Sequence, residues 1–235
     1  GASSGIGHEL ARLLIMQGWT VGVAARRKEK LEDLKNCAPE RVFTAQIDVT
    51  NEKADEALSQ LADQIGGLDL YFHAAGIGWK NPTLEPEKEM KTMQTNGLGF
   101  VRMVSEAYRY LAKHGGGHIV CITSVAGTKG IGAIPAYSAT KAMQNTYLQA
   151  LEQLAANNHL NIRFTDIRPG FVDTPLLPDS SHFPMLMKTE DVANSIMKAI
   201  ERKRHVCIID GRWCIFTAMW RRIPNWIWRR MKLKE

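Results

Sequence analysis

The sequence predicts a single three-layer α/β domain on a doubly wound parallel sheet, from two observations. Short, nearly all-apolar β-type runs alternate with longer amphipathic helical patterns along the chain, and a glycine-rich turn, GASSGIG, opens directly onto the first helix. Strict alternation demands crossover connections, which lay helices on both faces of parallel strands. At 235 residues and 45% hydrophobic composition, the chain can bury one substantial core and has little length for a second.

The strand-like runs are Thr20–Ala25, Arg41–Ile47, Leu68–His73, His118–Thr123, Ile162–Ile167 and Val206–Ile209. Helical periodicity fills Gly5–Gln17, Arg27–Asn36, Glu52–Ile65, Thr95–Lys113, Ala136–Asn157 and Thr189–Arg202. In the last of these Thr189 offers an N-cap, Glu190 and Asp191 follow in the first turn, and basic residues close the end. A doubly wound nucleotide fold feeds its first glycine loop from a central strand, so a strand is expected ahead of Gly1.

Residues 202–235 carry ten Lys and Arg against Asp210 and Glu235, a net +8, which leaves the other 201 residues at −2 of the chain's +6. Basicity belongs to a tail, and a nucleic-acid footprint over the folded body is not expected. Cys37, Cys121, Cys207 and Cys214 are scattered, without the spacing of a zinc site or redox motif, so no metal is expected and a reducing, cytoplasmic compartment is favoured. No apolar run is long enough to cross a bilayer.

Three motifs carry chemistry. Gly1, Gly5 and Gly7 precede a helix, where glycines let the backbone turn tightly and approach a pyrophosphate at the helix N-terminus; alone, the pattern is equally a plain turn. The next strand ends Ala25-Arg26-Arg27 in place of the carboxylate that selects a free ribose 2′-hydroxyl, and two arginines there fork onto a 2′-phosphate or simply open a solvated helix. Tyr137 and Lys141 stand at i and i+4 on one helix face. A free phenol, with a pKa of about 10, holds its proton too tightly for reversible transfer near neutrality. A cation about 4 Å away at an effective dielectric near 20 is worth roughly 4 kcal/mol, or about three pKa units. Most Tyr/Lys pairs on helices are structural, and this one gains weight from Ser124, which follows a strand and stands where an α/β sheet presents ligands.

Read in order, GASSGIG, Asp48-Val49, HAAG at 73–76, Asn96, Ser124, YSATK at 137–141 and RPGFVDTP at 168–175 resemble the short-chain dehydrogenase/reductase family, of NADP-preferring carbonyl reductase type, on a Rossmann-type fold. The resemblance runs from Gly1 to about Ile209. It implies a catalytic tetrad of Asn96, Ser124, Tyr137 and Lys141. In it Tyr137 protonates the carbonyl oxygen, Ser124 hydrogen-bonds it, Lys141 lowers the phenol pKa and holds the ribose, and Asn96 anchors a water relay. It also implies an NADP(H) site formed by Gly1, Ser3, Ser4, Gly5, Ile6, Gly7, Arg26 and Arg27. Asp48 and Val49 would lie at the adenine, His73, Ala74, Ala75 and Gly76 at the adenine ribose, and Pro169, Gly170, Val172 and Thr174 at the nicotinamide, with Asn96, Tyr137 and Lys141 completing the set. His73 stands where the family usually has asparagine; a structural histidine is expected there rather than a titrating one. A homodimer or homotetramer is expected.

Residues 175–188 carry Leu176, Leu177, Phe183, Met185, Leu186 and Met187, an apolar content that suggests a lid over a lipophilic carbonyl or alcohol substrate; packing on the domain or on a neighbouring subunit is the plainer reading. Trp79, Ile131 and Ile134 are candidates for the same cleft. The domain is drawn over residues 1–217 and a basic, Trp-rich tail over 218–235. Trp220, Trp226 and Trp228 among arginines suit the bilayer interface, whereas closing the cleft or meeting a partner subunit is the alternative, and Pro224 interrupts any helix. The competing function classes are a non-catalytic NADP-sensing or scaffold protein, an epimerase or dehydratase that recycles its nicotinamide, and a membrane-binding module carried by the tail.

Overall fold

The computed structural model describes residues 1–177 and 182–232. The strands are β1 (Val21–Ala25), β2 (Val42–Gln46), β3 (Leu70–His73), β4 (Gly117–Ile122), β5 (Ile162–Pro169) and β6 (Val206–Ile209). All pairings between them are parallel. They form two hydrogen-bonded sheets, β1-β2 and β3-β4-β5-β6. The strand expected ahead of Gly1 concerns residues outside this chain.

The helices are α1 (Gly5–Met16), α2 (Glu29–Cys37), α3 (Ala54–Gln64), α4 (Pro86–Thr92), α5 (Phe100–Lys113), α6 (Pro135–Asn157), α7 (Thr189–Glu201), α8 (Gly211–Trp220) and α9 (Asn225–Trp228). Alternation along β4 shows why both faces are covered. Val120 points into a core with Leu10 and Leu14 of α1 and Val192 and Ile196 of α7. Ile119 and Cys121 point the other way, among Leu58 of α3, Phe100, Val104 and Leu111 of α5 and Leu148 of α6. Each fully buried Leu, Val or Phe stabilises the fold by about 1.5–3 kcal/mol relative to exposure. Helix α1 ties the two sheets together: Leu10 and Leu14 face the larger one, while Ala11 and Ile15 join Val23, Leu31, Leu34 and Val42 over the smaller.

Three local features differ from expectation. The helix expected from Thr95 begins with a wide turn, Met93–Gly99, whose i→i+5 bonding precedes α5 proper. Thr189 is the first residue of α7 rather than its cap, and its hydroxyl donates to the Asp173 carbonyl oxygen. The segment after β6 is helical: Asp210 caps α8, accepting from Arg212 N at 2.9 Å and Trp213 N at 3.4 Å, so the boundary drawn at 217 falls inside a helix. Pro224 does separate α8 from α9. Of the expected lid, residues 178–181 lie outside the described residues, as do residues 233–235 of the tail.

Candidate active site

One continuous cleft runs over the carboxyl ends of the strands, from the glycine turn to α8 and α9. Gly1, Ser3, Ser4, Gly5, Ile6 and Gly7 line one end with Arg26, Arg27, Asp48 and Val49; Ala74, Ala75 and Gly76 follow; Ser124, Tyr137 and Lys141 stand at the middle with Pro169, Gly170, Val172 and Thr174. Gly5 turns the chain at φ +57°, a left-handed conformation that side chains resist, and delivers α1 with its amide ends toward the cleft. Arg27 bends over this turn, donating from Nη2 to Ser3 Oγ at 3.1 Å and Ser4 Oγ at 3.4 Å. Asp48 holds its own turn by accepting from Thr50 N at 3.0 Å and Thr50 Oγ1 at 2.8 Å.

Two expected residues sit behind the cleft wall. Asn96, fully buried in the wide turn before α5, holds one residue through both of its peptide groups: Ile77 N donates to its Oδ1 at 2.9 Å, and its Nδ2 donates to Ile77 O at 2.7 Å. Its backbone carbonyl oxygen accepts from Gln144 Nε2 at 2.8 Å. His73 ends β3 against the Phe100 ring, and its Nδ1 shares a 2.8 Å hydrogen bond with Tyr71 Oη. Burial pushes its pKa down to about 3, so it stays neutral across the physiological range and serves as structure.

The central triad is set by α6 and by the end of β4. Pro135 starts α6, which presents Tyr137 and Lys141 on one face. Lys141 is 4% exposed, donates from Nζ to Ile122 O at 2.9 Å and lies 5.6 Å from the centre of the Tyr137 ring. Burial pushes its pKa down to about 8, partly offset by the Asp166 carboxylate. Ser124 Oγ accepts from Ala126 N at 3.1 Å, which fixes the serine as the cap of the short turn Val125–Thr128. Burial raises the Tyr137 phenol pKa above its ordinary value, and the hydrogen bond with Ser124 pulls it partly back. This direction is opposite to the one expected from a nearby cation, because desolvation is the largest influence on the enclosed ring, and the phenol is a protonated donor at neutral pH.

The sequence reading passed over several residues at this site. Gly78 leaves room for the phenol, since a Cβ there would lie 2.5 Å from a Tyr137 ring carbon. Asp166, a buried carboxylate in β5, pairs with Arg168 at 2.6 Å, accepts from the Thr123 hydroxyl and favours the charged form of Lys141. Its signal was legible as a buried-strand charge. Trp213 and Phe216 wall the far end beside Trp220 and Trp228, the tail tryptophans for which closing the cleft was the alternative to bilayer contact. Trp220 Nε1 donates to Thr128 Oγ1 and Trp228 Nε1 to Gly130 O, both at 2.7 Å, which fastens the tail to the loop that follows Ser124.

Comparison with known proteins gives the family. A family model described as short chain dehydrogenase matches residues 1–184. An uncharacterized oxidoreductase of Mycobacterium tuberculosis is 31% identical over 213 residues, covering 86% of this chain and 83% of that one. Among solved structures, a serine dehydrogenase complexed with NADP+ aligns with a TM-score of 0.79 at 25% identity, over 89% of this chain and 92% of that one. A 3-ketoacyl-ACP reductase from Sinorhizobium meliloti aligns with a TM-score of 0.75 at 27% identity, over 92% and 97%. The chain belongs to the short-chain dehydrogenase/reductase family, and is an oxidoreductase of that family on a Rossmann-like fold.

Proposed function

We propose that the protein is an NADP(H)-dependent carbonyl reductase, or alcohol dehydrogenase in the reverse direction, acting on a small lipophilic substrate. The observation that carries this reading is the meeting of Ser124, Tyr137 and Lys141 in one cleft with the glycine turn and Arg26 and Arg27. The dinucleotide fits the residues present: Gly1, Gly5 and Gly7 give backbone access, Arg26 and Arg27 supply the cations a 2′-phosphate needs, and no carboxylate stands at the end of β1. When bound, NADPH supplies the hydride.

The chain's own residues handle the oxygen. Ser124 orients the substrate oxygen by hydrogen bonding, and Tyr137 gives its proton to that oxygen as negative charge develops there. An alkoxide is about as basic as hydroxide, with a conjugate-acid pKa near 16, so a phenol raised above its usual value still delivers the proton downhill. Lys141, a buried cation, stabilises the phenolate that remains. Asn96 acts through position, holding the Ile77 peptide and with it the 74–78 loop.

Trp79, Ile131, Ile134, Phe183 and Met185 line the substrate end and support an apolar substrate. The free cysteines suit a reducing, cytoplasmic setting, and family membership supports a homodimer or homotetramer. Ile215, Met219 and Trp226 are exposed on the outer side of α8 and α9 beside Arg222 and Arg230, and support a second role for the tail, peripheral contact with an anionic bilayer. Co-sedimentation with anionic vesicles that drops in a Met219→Ser/Trp226→Ser variant is the expected result; unchanged co-sedimentation removes that role.

The test of the main reading is NADPH oxidation with a panel of ketones and aldehydes graded by size and polarity. Bulky apolar carbonyls should outrank short polar ones, and Tyr137→Phe should lower kcat/KM by about a thousandfold while still binding NADPH. NADPH binding without turnover of any carbonyl, in wild type and variant alike, favours the sensing or scaffold alternative.

A further inference from the structure

Among the described residues, the substrate end of the cleft carries charge of one sign. Lys80, Arg221, Arg229 and Lys232 line it, whereas the single carboxylate on the described cleft wall, Asp48, sits at the dinucleotide end and is engaged by Thr50. Together with Lys129 these cations, facing no carboxylate among the described residues of that end, focus positive potential into a space whose other sides are aromatic.

The tail's arginines come as two adjacent pairs, Arg221-Arg222 and Arg229-Arg230, and the members of each pair behave differently. The second of each turns back on its own segment: Arg222 Nη1 donates to Ala218 O at 3.0 Å and Arg230 Nη1 to Trp226 O at 3.1 Å. The first of each lines the cleft, and among the described residues its guanidinium has neither an ion pair nor a hydrogen bond. Lys129 shows what a satisfied cation looks like nearby: its Nζ donates to Ile223 O at 2.9 Å and Asn225 Oδ1 at 2.8 Å. Lys80, across the cleft, reaches only the Phe183 ring, 5.7 Å from its centre.

An apolar path shares the cleft with Tyr137 and these arginines. Phe171, Trp213, Phe216, Trp220 and Trp228 follow one another in edge-to-face contact, with ring centres 5.1–5.7 Å apart. A neutral lipophilic substrate would use that path and leave the guanidinium groups unmatched. An apolar chain ending in a carboxylate or phosphate would use both, since the planar guanidinium fork matches either anion.

We propose that the substrate is an anionic amphiphile: a carbonyl compound whose oxygen reaches Tyr137, whose apolar body lies along the tryptophan wall, and whose distal carboxylate or phosphate is held by Arg221 and Arg229 at the cleft mouth. This deepens the reductase reading and rests on it for the carbonyl. The anion site is testable without turnover, which keeps the two failures apart.

The experiment measures binding of decanol, decanoate and decyl phosphate to the full chain through the tryptophan fluorescence of the cleft wall. At least one of the two anions should bind about tenfold more tightly than decanol, and the preferred anion names the headgroup. Arg221→Gln with Arg229→Gln should abolish that preference, while Arg222→Gln with Arg230→Gln, on the outer side, should leave it in place. Equal affinity for the alcohol and both anions would overturn the proposal, as would a preference that survives in the cleft-facing double variant. A preference lost equally in both double variants points to diffuse tail charge and likewise overturns it.

Discussion

The two ends of the cleft are built from different material. The end proposed for the dinucleotide is mostly backbone and small residues, Gly1, Ser3, Ser4, Gly5, Gly7, Ala74, Ala75 and Gly76, closed by two arginines. The end proposed for the substrate is made of large side chains, Trp79, Phe183, Trp213, Phe216, Trp220 and Trp228, borne on α8, α9 and loops that meet only in the folded chain. The difference teaches how each end takes its ligand. Peptide N–H groups and a helix terminus hold a phosphate-bearing group with little dependence on side chains. Shape made by bulky side chains selects among substrates, and it changes with every substitution in them.

The comparison breaks first at Trp213. It is 4% exposed and packs edge-on against both Phe171 and Phe216, so it is wall and core together. Trp213→Ala should cost about 3–5 kcal/mol, read as a fall of roughly 10 °C in Tm, and should change substrate ranking more than affinity for the dinucleotide. An equal loss in NADPH affinity would show that the two ends are not separable.

At the other end, Arg26→Gln with Arg27→Gln should weaken NADPH binding by about a hundredfold while altering NADH binding little, because each charge-assisted hydrogen bond to a phosphate is worth about 1.5–3 kcal/mol. Tighter binding of NADH than NADPH by the unaltered protein would remove the cofactor assignment.

The smallest effect concerns the middle. Burial holds the Lys141 pKa at about 8, below its ordinary value of 10.5, so the cation is present below pH 8 and is lost as pH rises through that value. The kcat/KM for NADPH, which reports groups of the free enzyme, should therefore fall on an alkaline limb near pH 8. A profile flat to pH 10 would contradict the buried, cationic Lys141.

What the sequence made legible was local. The glycine turn, the Tyr137/Lys141 spacing and the six strands are patterns within a few residues, and the fold places each close to where its period put it. What stayed hidden was made by distance and burial. Trp220 meets Thr128 across 92 positions, and Lys129 meets Asn225 across 96, so no window along the chain contains either contact. The raised phenol of Tyr137 follows from how deeply the ring is enclosed, which spacing on a helix does not report. Asn96 was singled out by motif, but its clamp on Ile77 depends on a wide turn that helical periodicity reads as ordinary helix. Helix α8 did carry a signal, Asp210 ahead of Trp213, Thr217 and Trp220 at helical spacing, which the basic composition of the tail obscured.

The account rests on proton donation by Tyr137 to an oxygen whose carbon receives hydride from the dinucleotide in the same cleft. The direct measurement is mass spectrometry of the alcohol formed from an apolar ketone and NADPH deuterated at the transferable position of nicotinamide C4. One deuteron on the former carbonyl carbon, with product formation collapsing in Tyr137→Phe, is the predicted result. Alcohol without deuterium, or undiminished product from the phenylalanine variant, would contradict it.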